Sequence, residues 1–395
     1  MANVGIKIAA VVVVVLIVAG GAYFLLGDAQ DDNTTGDRTL TDLYGNEFKI
    51  PDNIDSVIAE CGPALRYLSF MGEDVSKKVT ATSSVNAAPV LSGISYTYLY
   101  GLGSLEQLGE FKTAVAMEKI VTRSPDLVII GNMGDTYEDG LSDFISTMKS
   151  AGIPVCIIKY VYNLEDPDFA AQVKLMGDIF GCSERAQQLL DGIDQQVKTL
   201  EELCSKIDET ANAYIGGVLS FGNADLLTSV NTESSAFAYL GNTVNNVAES
   251  DIVKGAPKGQ WIIAKSEEAL LRYDDQQTID ALFIDLGGYK KVLNNDTDLL
   301  NKLKAYPEAT YITLPTVAFS TCYDNTLIDA YWTLYALYAE KYPELFKDIN
   351  MEETAKGIWS LFLDCSPDDA NQIYNGIMKS YNVNYLFGLF DGAAA

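Results

Sequence analysis

Residues 117–130 read MEKIVTRSPDLVII. Ile120 and Val121 are apolar among Glu118, Lys119 and Arg123, a short helical pattern, and Pro125-Asp126 ends it because the residue before a proline is pushed out of the helical region. Four strand formers follow at 127–130. An apolar run without polar alternation suits a strand covered on both faces, as in a parallel sheet. The stretch therefore reads as helix, stop and buried strand. It also sets a carboxylate, Glu118, at the start of a helix.

The same grammar extends in both directions. Upstream, residues 57–60 read as a short strand, then a Cys-Gly-Pro turn and a helix ending at Gly72, where a glycine can take the left-handed cap. Another strand is expected at 78–82. Downstream come a helix over 140–150 and a strand at 155–158. Alternation of this kind predicts a parallel sheet with helices on both faces. Between Pro167 and Asp208 the pattern changes to a long amphipathic stretch, with Val173, Met176, Ile179, Leu189, Ile193, Val197 and Leu200 at helical spacing. Read as one helix bent near 181–183, it would reach roughly 60 Å; a pair of packed helices explains it as well. After Asn212 the alternation resumes, with strands at 213–219, 281–285 and 310–314 and helices over 235–241, 266–273, 327–340 and 351–363.

The fold class expected is α/β: two Rossmann-like lobes joined by a long helix, with an N-terminal transmembrane helix. The expected boundaries are 1–27 for a membrane anchor or signal segment, 28–39 for a polar tether, 40–163 and 211–392 for the lobes, and 164–210 for the linking helix. The anchor rests on residues 8–26, which carry no charge for 19 positions, long enough to cross a bilayer core. Lys7 on the short side favours a cytoplasmic N-terminus, placing everything after Gly27 outside. A faint echo links the lobes: Glu118 precedes Asp126 and a strand, and Glu267 precedes Asp280 and a strand. Helix dipoles favour acidic residues in first turns, which explains each of them equally well.

Composition excludes several functions. Against 27 basic residues stand 54 acidic ones, a net charge of −27, which repels nucleic acid. There is no histidine, so Ser-His-Asp triads, histidine zinc sites and histidine-ligated haem are impossible. Six cysteines show no C-x-x-C pair and are expected mainly as buried thiols. No phosphate-binding motif occurs.

Ligands of open α/β sheets lie beyond the carboxyl ends of the strands. The residues there include Arg66, Asn132, Tyr160 and Tyr162 in the first lobe, and Ser220, Phe221, Thr228, Ser229, Tyr289, Phe319 and Tyr323 in the second. Tyr96, Tyr98 and Tyr100 alternate, so an extended segment would put three phenols on one side, as a ligand platform or as a core-packed edge. Aromatic walls with a few polar fixtures suit a bulky ligand between lobes.

MEKIVTRSPDLVII is similar to the E-x-I-x-x-x-x-P-D-L-V-I segment of class III periplasmic substrate-binding proteins, the iron-siderophore, haem and cobalamin binders of ABC importers. VIAECGPALRYLSFMG, GIPVCII, the RAQQLL of the middle helix, YIGG, LGNTVNNVAE, KAYPEATYITLP and YAEKYPELFKDIN follow in the family's order, resembling its archaeal iron-complex members. The resemblance implies a monomeric receptor on the outer face of the membrane that passes a ferric chelate or a cobamide to a permease and ATPase, with no metal site and no cofactor of its own. It also implies that Glu118 and Glu267 (or Glu268, one position on) dock on permease arginines, one per lobe. The competing reading is an extracytoplasmic enzyme on nitrogenase-like lobes, acting on a carbohydrate or tetrapyrrole.

Overall fold

The apolar runs become strands of two parallel sheets in the computed structural model, which describes residues 37–83, 92–132, 134, 136–161, 163–218, 226–231, 236–247, 262–264, 266–316 and 322–390. The expected anchor and tether at 1–36 lie outside the described residues. Among the described residues, no helix is long and apolar enough to cross a membrane.

The first sheet runs in the order Glu106–Gln107, Val79–Thr82, Val57–Ala59, Leu127–Asn132, Val155–Lys159, every pair parallel. In chain order this is 3-2-1-4-5, the doubly wound arrangement, so strand order reverses between Val57–Ala59 and Leu127–Asn132. All six residues of Leu127–Asn132 are buried, as an apolar run covered on both faces must be. The second sheet runs Val244–Asn246, Ala211–Gly216, Ala281–Asp285, Thr310–Thr313, also parallel. Its order is 2-1-3-4, and the reversal falls between Ala211–Gly216 and Ala281–Asp285.

The Pro-Asp stop has a second purpose. Asp126 Oδ2 accepts from the backbone N–H of Asp55 and Ser56 at 2.9 Å each and from Ser56 Oγ at 3.1 Å, clamping the chain where it enters the central strand. In the second lobe Asp280 Oδ2 accepts from Asn212 N at 2.7 Å, just inside the equivalent strand. The echo between Asp126 and Asp280 is thus a repeated device that fixes register at the amino edge of each sheet.

The glutamates of the echo are not equivalent. The helix Ala114–Arg123 starts at its Thr113 cap, earlier than the pattern suggested, so Glu118 lies in its second turn; Glu267 and Glu268 begin the helix Glu267–Gln277 under the Ser266 cap. Dipole stabilisation fades beyond the first turn, so it explains Glu267 and leaves Glu118 unexplained.

The long linking helix is two helices. Pro167–Phe180 ends at Gly181, which takes the left-handed conformation at φ 67°, and Ser183–Cys204 starts afresh. They fold against each other so closely that a β-carbon on Gly177 would sit 2.8 Å from Ala186 Cβ. The 22 residues of Ser183–Cys204 span about 33 Å at the standard rise. From this spine Arg185 Nε donates to Phe70 O at 2.8 Å in the first lobe, and Nη2 donates to Leu361 O and Phe362 O at 2.6 and 2.9 Å in the second.

Among the described residues, two hydrophobic clusters fill the interior. One, with Ile58, Val128, Ile130, Phe144 and Met148, covers the outer face of the first sheet. The other starts on its inner face at Val57, Leu127 and Ile158 and continues without a break into the second lobe. An antiparallel hairpin, Arg38–Thr41 with Glu47–Ile50, precedes the first sheet and is tied to the helix end by Arg38, whose guanidinium donates to Asp178 O and Ile179 O at 2.7 and 2.8 Å. The helix Pro367–Tyr381 carries a Ser366–Asp369 capping box. Neither the hairpin nor this helix is among the elements expected from the sequence. The helix expected at 235–241 is instead two 3-10 turns, Ala236–Tyr239 and Gly241–Thr243. All six cysteines are free thiols, and burial pushes Cys61 and Cys365 up to about 12, far from reactive thiolate.

Candidate ligand-binding cleft

The carboxyl edges of the two sheets turn towards each other. A β-carbon on Gly93, in the connection after Val79–Thr82, would lie 2.5 Å from Pro315 Cβ, in the connection after Thr310–Thr313. Asn325 secures this meeting by donating from Nδ2 to Gly93 O and to Pro315 O, both at 2.9 Å.

Beneath the meeting point lies a buried polar joint between the lobes. Arg66, on the first-lobe helix Pro63–Ser69, has Nη1 3.0 Å from Asp324 Oδ1, on the second-lobe helix Tyr323–Tyr338, and Nη2 3.2 Å from Cys322 Sγ. Both charged side chains are 1% exposed. Ser95 Oγ donates to the other oxygen of Asp324, and Arg66 lies 5.3 Å over the Tyr96 ring. Tyr323 donates to Val161 O and meets the Tyr67 hydroxyl at 3.3 Å, with Gln172 Nε2 donating to Tyr67 at 3.0 Å.

Several residues expected to face a ligand are therefore spent on structure. Arg66, Tyr96 and Tyr323 belong to the joint. Asn132 is buried and organises the loop after its strand, donating to Tyr44 Oη, Gly134 O and Thr136 O and accepting from Glu138 N. Tyr289 is buried edge-on against Phe390 at 5.3 Å, Ser229 Oγ donates to Val218 O at 2.9 Å, and Thr228 is buried. The alternation of Tyr96, Tyr98 and Tyr100 does not make a flat platform, because Ser95–Tyr98 is a 3-10 turn and Tyr100 has φ 52°. Tyr98 donates to Ser92 O at 2.6 Å and meets Ser380 Oγ at 2.9 Å. Tyr98, Tyr100 and Tyr160 stay half-buried. Tyr162, Ser220, Phe221 and Phe319 lie outside the described residues, as do most of the connections at this edge of the second sheet.

Two acids that the sequence reading did not single out stand at the two points of strand reversal. Glu60 follows Val57–Ala59; its Oε2 accepts from Gly131 N at 2.7 Å, on the neighbouring strand across the reversal. It is half-buried, and burial pushes its carboxyl up to about 7, against the pull of the Gly131 N–H and of Lys112. Asp285 ends Ala281–Asp285 and is fully buried, accepting from Thr316 N (2.8 Å), Thr316 Oγ1 (2.6 Å) and Gly287 N (2.7 Å). Burial outweighs those three donors and lifts it to about 7 as well. A signal existed for both: each is an acid closing an apolar strand run, VIAE and ALFID.

Glu118, Glu267 and Glu268 are exposed. The Glu118 carboxylate has no hydrogen-bond or ion-pair partner among the described residues, and the Glu267 charge lies near the buried Asp296.

Solved structures with the same arrangement are periplasmic solute-binding proteins. One from Veillonella parvula superposes with a TM-score of 0.62 at 17% identity, over 88% of this chain and 99% of that one. The molybdate-binding protein MolA of Haemophilus influenzae, solved with molybdate bound, gives 0.61 at 16% identity over 84% and 99%. An ABC transporter solute-binding protein from Sulfurospirillum deleyianum gives 0.60 at 15% over 86% and 99%. The fold is that of a periplasmic solute-binding protein. No family model and no curated protein sequence matches the chain. In this binding-protein fold the cleft is the space beyond the facing carboxyl edges. The buried joint and the spine Ser183–Cys204 connect the two lobes beside it.

Proposed function

We propose that the chain is the substrate-binding receptor of an ABC importer, working outside the cell membrane. It captures a ferric chelate or a corrinoid between its lobes and delivers it to the permease. The observation that carries the proposal is the pair of doubly wound sheets with their carboxyl edges turned to one cleft, the place where such sheets bind ligands. Its likeness to solute-binding proteins over nearly their whole length supports the same reading. A chelate suits this chain better than a bare transition metal, because no histidine is available to ligate one. In this reading residues 8–26 anchor the receptor, and Glu118 and Glu267 steer it onto a basic permease rim, one charge per lobe.

A thermal-shift screen tests the ligand class, with ferric hydroxamate, ferric catecholate, haem, a cobamide and molybdate as probes. A ligand held at 100 times its dissociation constant stabilises the folded state by about 2.7 kcal/mol, so a true ligand raises the melting temperature clearly. Stabilisation by one chelate class is the expected result. A panel that leaves the melting temperature unchanged contradicts the receptor reading, and chemical conversion of a probe would point to the enzyme instead.

A further inference from the structure

Glu60 occupies a place that the buried joint does not use. It stands at the reversal point of the first sheet, where a doubly wound sheet opens its crevice. One carboxyl oxygen is fixed by Gly131 N, and the other has no partner among the described residues. Tyr160, from the next strand, closes the third side: a β-carbon on Gly131 would lie 2.5 Å from Tyr160 Cε2 and 3.1 Å from Glu60 Oε2. Glycine at 131 thus lets the acid and the ring share one corner.

The charges around that corner do not neutralise Glu60. From the segment after Glu106–Gln107 come Glu110 and Lys112; from the loop after Leu127–Asn132 comes Glu138. Lys112 is already paired with Glu138 at 2.7 Å. Lys159, at the end of the adjoining strand, is paired with Asp168 at 2.8 Å. Cys61, the next residue, stays protonated. Burial and the two acids favour the neutral form of Glu60, and they outweigh the opposing pull of the Gly131 N–H and of the committed lysine.

We propose that Glu60 is a ligand-contacting residue of the cleft whose free oxygen, beside the Tyr160 ring, donates a hydrogen bond to an oxygen of the ligand. The ligand class that fits is an oxygen-rich chelate presenting a carboxylate, hydroxamate or catecholate oxygen beside the Tyr160 ring. This rests on the receptor reading and adds a pH dependence to it: the carboxylic acid grips an electron-rich oxygen, and the carboxylate repels it. With burial pushing the Glu60 carboxyl up to about 7, affinity is expected at its plateau below that pH and to fall by up to about tenfold per unit above it.

The test measures binding of ferric hydroxamate, ferric catecholate, haem and a cobamide at pH 6 and pH 8.5 to the wild type, Glu60→Gln and Glu60→Ala. Glutamine keeps a neutral N–H donor that cannot ionise. The expected result is binding by the wild type that weakens about tenfold or more at pH 8.5, a flat profile for Glu60→Gln, and loss at both pH values for Glu60→Ala. Binding that weakens equally in the wild type and in Glu60→Gln overturns the role of Glu60 and leaves the receptor reading standing. Binding by none of the proteins at either pH contradicts both.

Discussion

Replacing Asp324 with alanine is expected to cost about 3–5 kcal/mol of folding stability, because it strands the Arg66 guanidinium, 1% exposed, without its counter-charge. The loss is larger than that of a surface pair for a simple reason. Water cannot reach Arg66 to replace the carboxylate, and Ser95 Oγ loses its acceptor in the same change. The cost falls on the joint between the lobes, since the partners are 258 positions apart in the chain. The double replacement Arg66→Met with Asp324→Leu is expected to recover most of the stability, because an apolar pair removes the need for compensation. Urea denaturation of the wild type and the two variants checks this. A loss below about 1 kcal/mol for Asp324→Ala would show the pair to be hydrated, as surface pairs are.

Stability is expected to rise as the pH falls from 7.5 to about 5. The sign follows from Asp285, whose folded-state pKa of about 7 lies above the unfolded value of about 3.9. Between those values the folded state binds the extra proton, so stability declines as pH rises through the interval and levels off above 7. A carboxyl that holds its proton so much more tightly in the folded chain than in the unfolded one contributes at most about 4 kcal/mol to this trend. Asp329, buried beside it with Leu314 N donating at 2.9 Å, is shifted upward chiefly by the same burial and adds to the trend. Asp126, held below its usual range, acts the other way only in more acidic solution. Burial opposes that lowering, and the donors from Asp55 and Ser56 outweigh it. The melting temperature at pH 5.5 should exceed that at pH 8 by several degrees. In Asp285→Asn the difference should shrink, while the protein weakens at pH 5.5 because the amide N–H₂ would face a backbone N–H, that of Gly287 or that of Thr316. Equal melting temperatures at the two pH values would mean that Asp285 is ionised in the folded protein.

The strands were legible where their chemistry is local. Leu127–Asn132 and Ala281–Asp285 are apolar runs between a Pro-Asp or Asp entry and a polar exit, and their short length favours a strand over a buried helix. The break at Gly181 was legible only as a possibility, since one glycine can bend a helix or end it, and the packing of Gly177 on Ala186 decides. The cleft was harder. Arg66 lies in the helix after the first strand, and nothing local shows that Asp324 would claim it from the far lobe. Tyr96 misled because alternation implies one face only in an extended chain, and Ser95–Tyr98 is a 3-10 turn. Glu60 and Asp285 were missed although an acid at the end of an apolar strand run is a visible anomaly; burial of a carboxyl there demands a reason.

In the proposed receptor, Glu118 and Glu267 would link binding to transport. Both are exposed, and the Glu118 carboxylate, in the second turn of its helix, gains little from the helix dipole and nothing from a neighbour among the described residues. The decisive measurement is cellular uptake of the chelate that stabilises the protein, in cells lacking the native gene and complemented with the wild type or with Glu118→Arg/Glu267→Arg. The account predicts uptake with the wild type, near-background uptake with the double variant, and unchanged ligand affinity in both proteins. Uptake by the double variant at the wild-type rate, or loss of its ligand affinity, would contradict it.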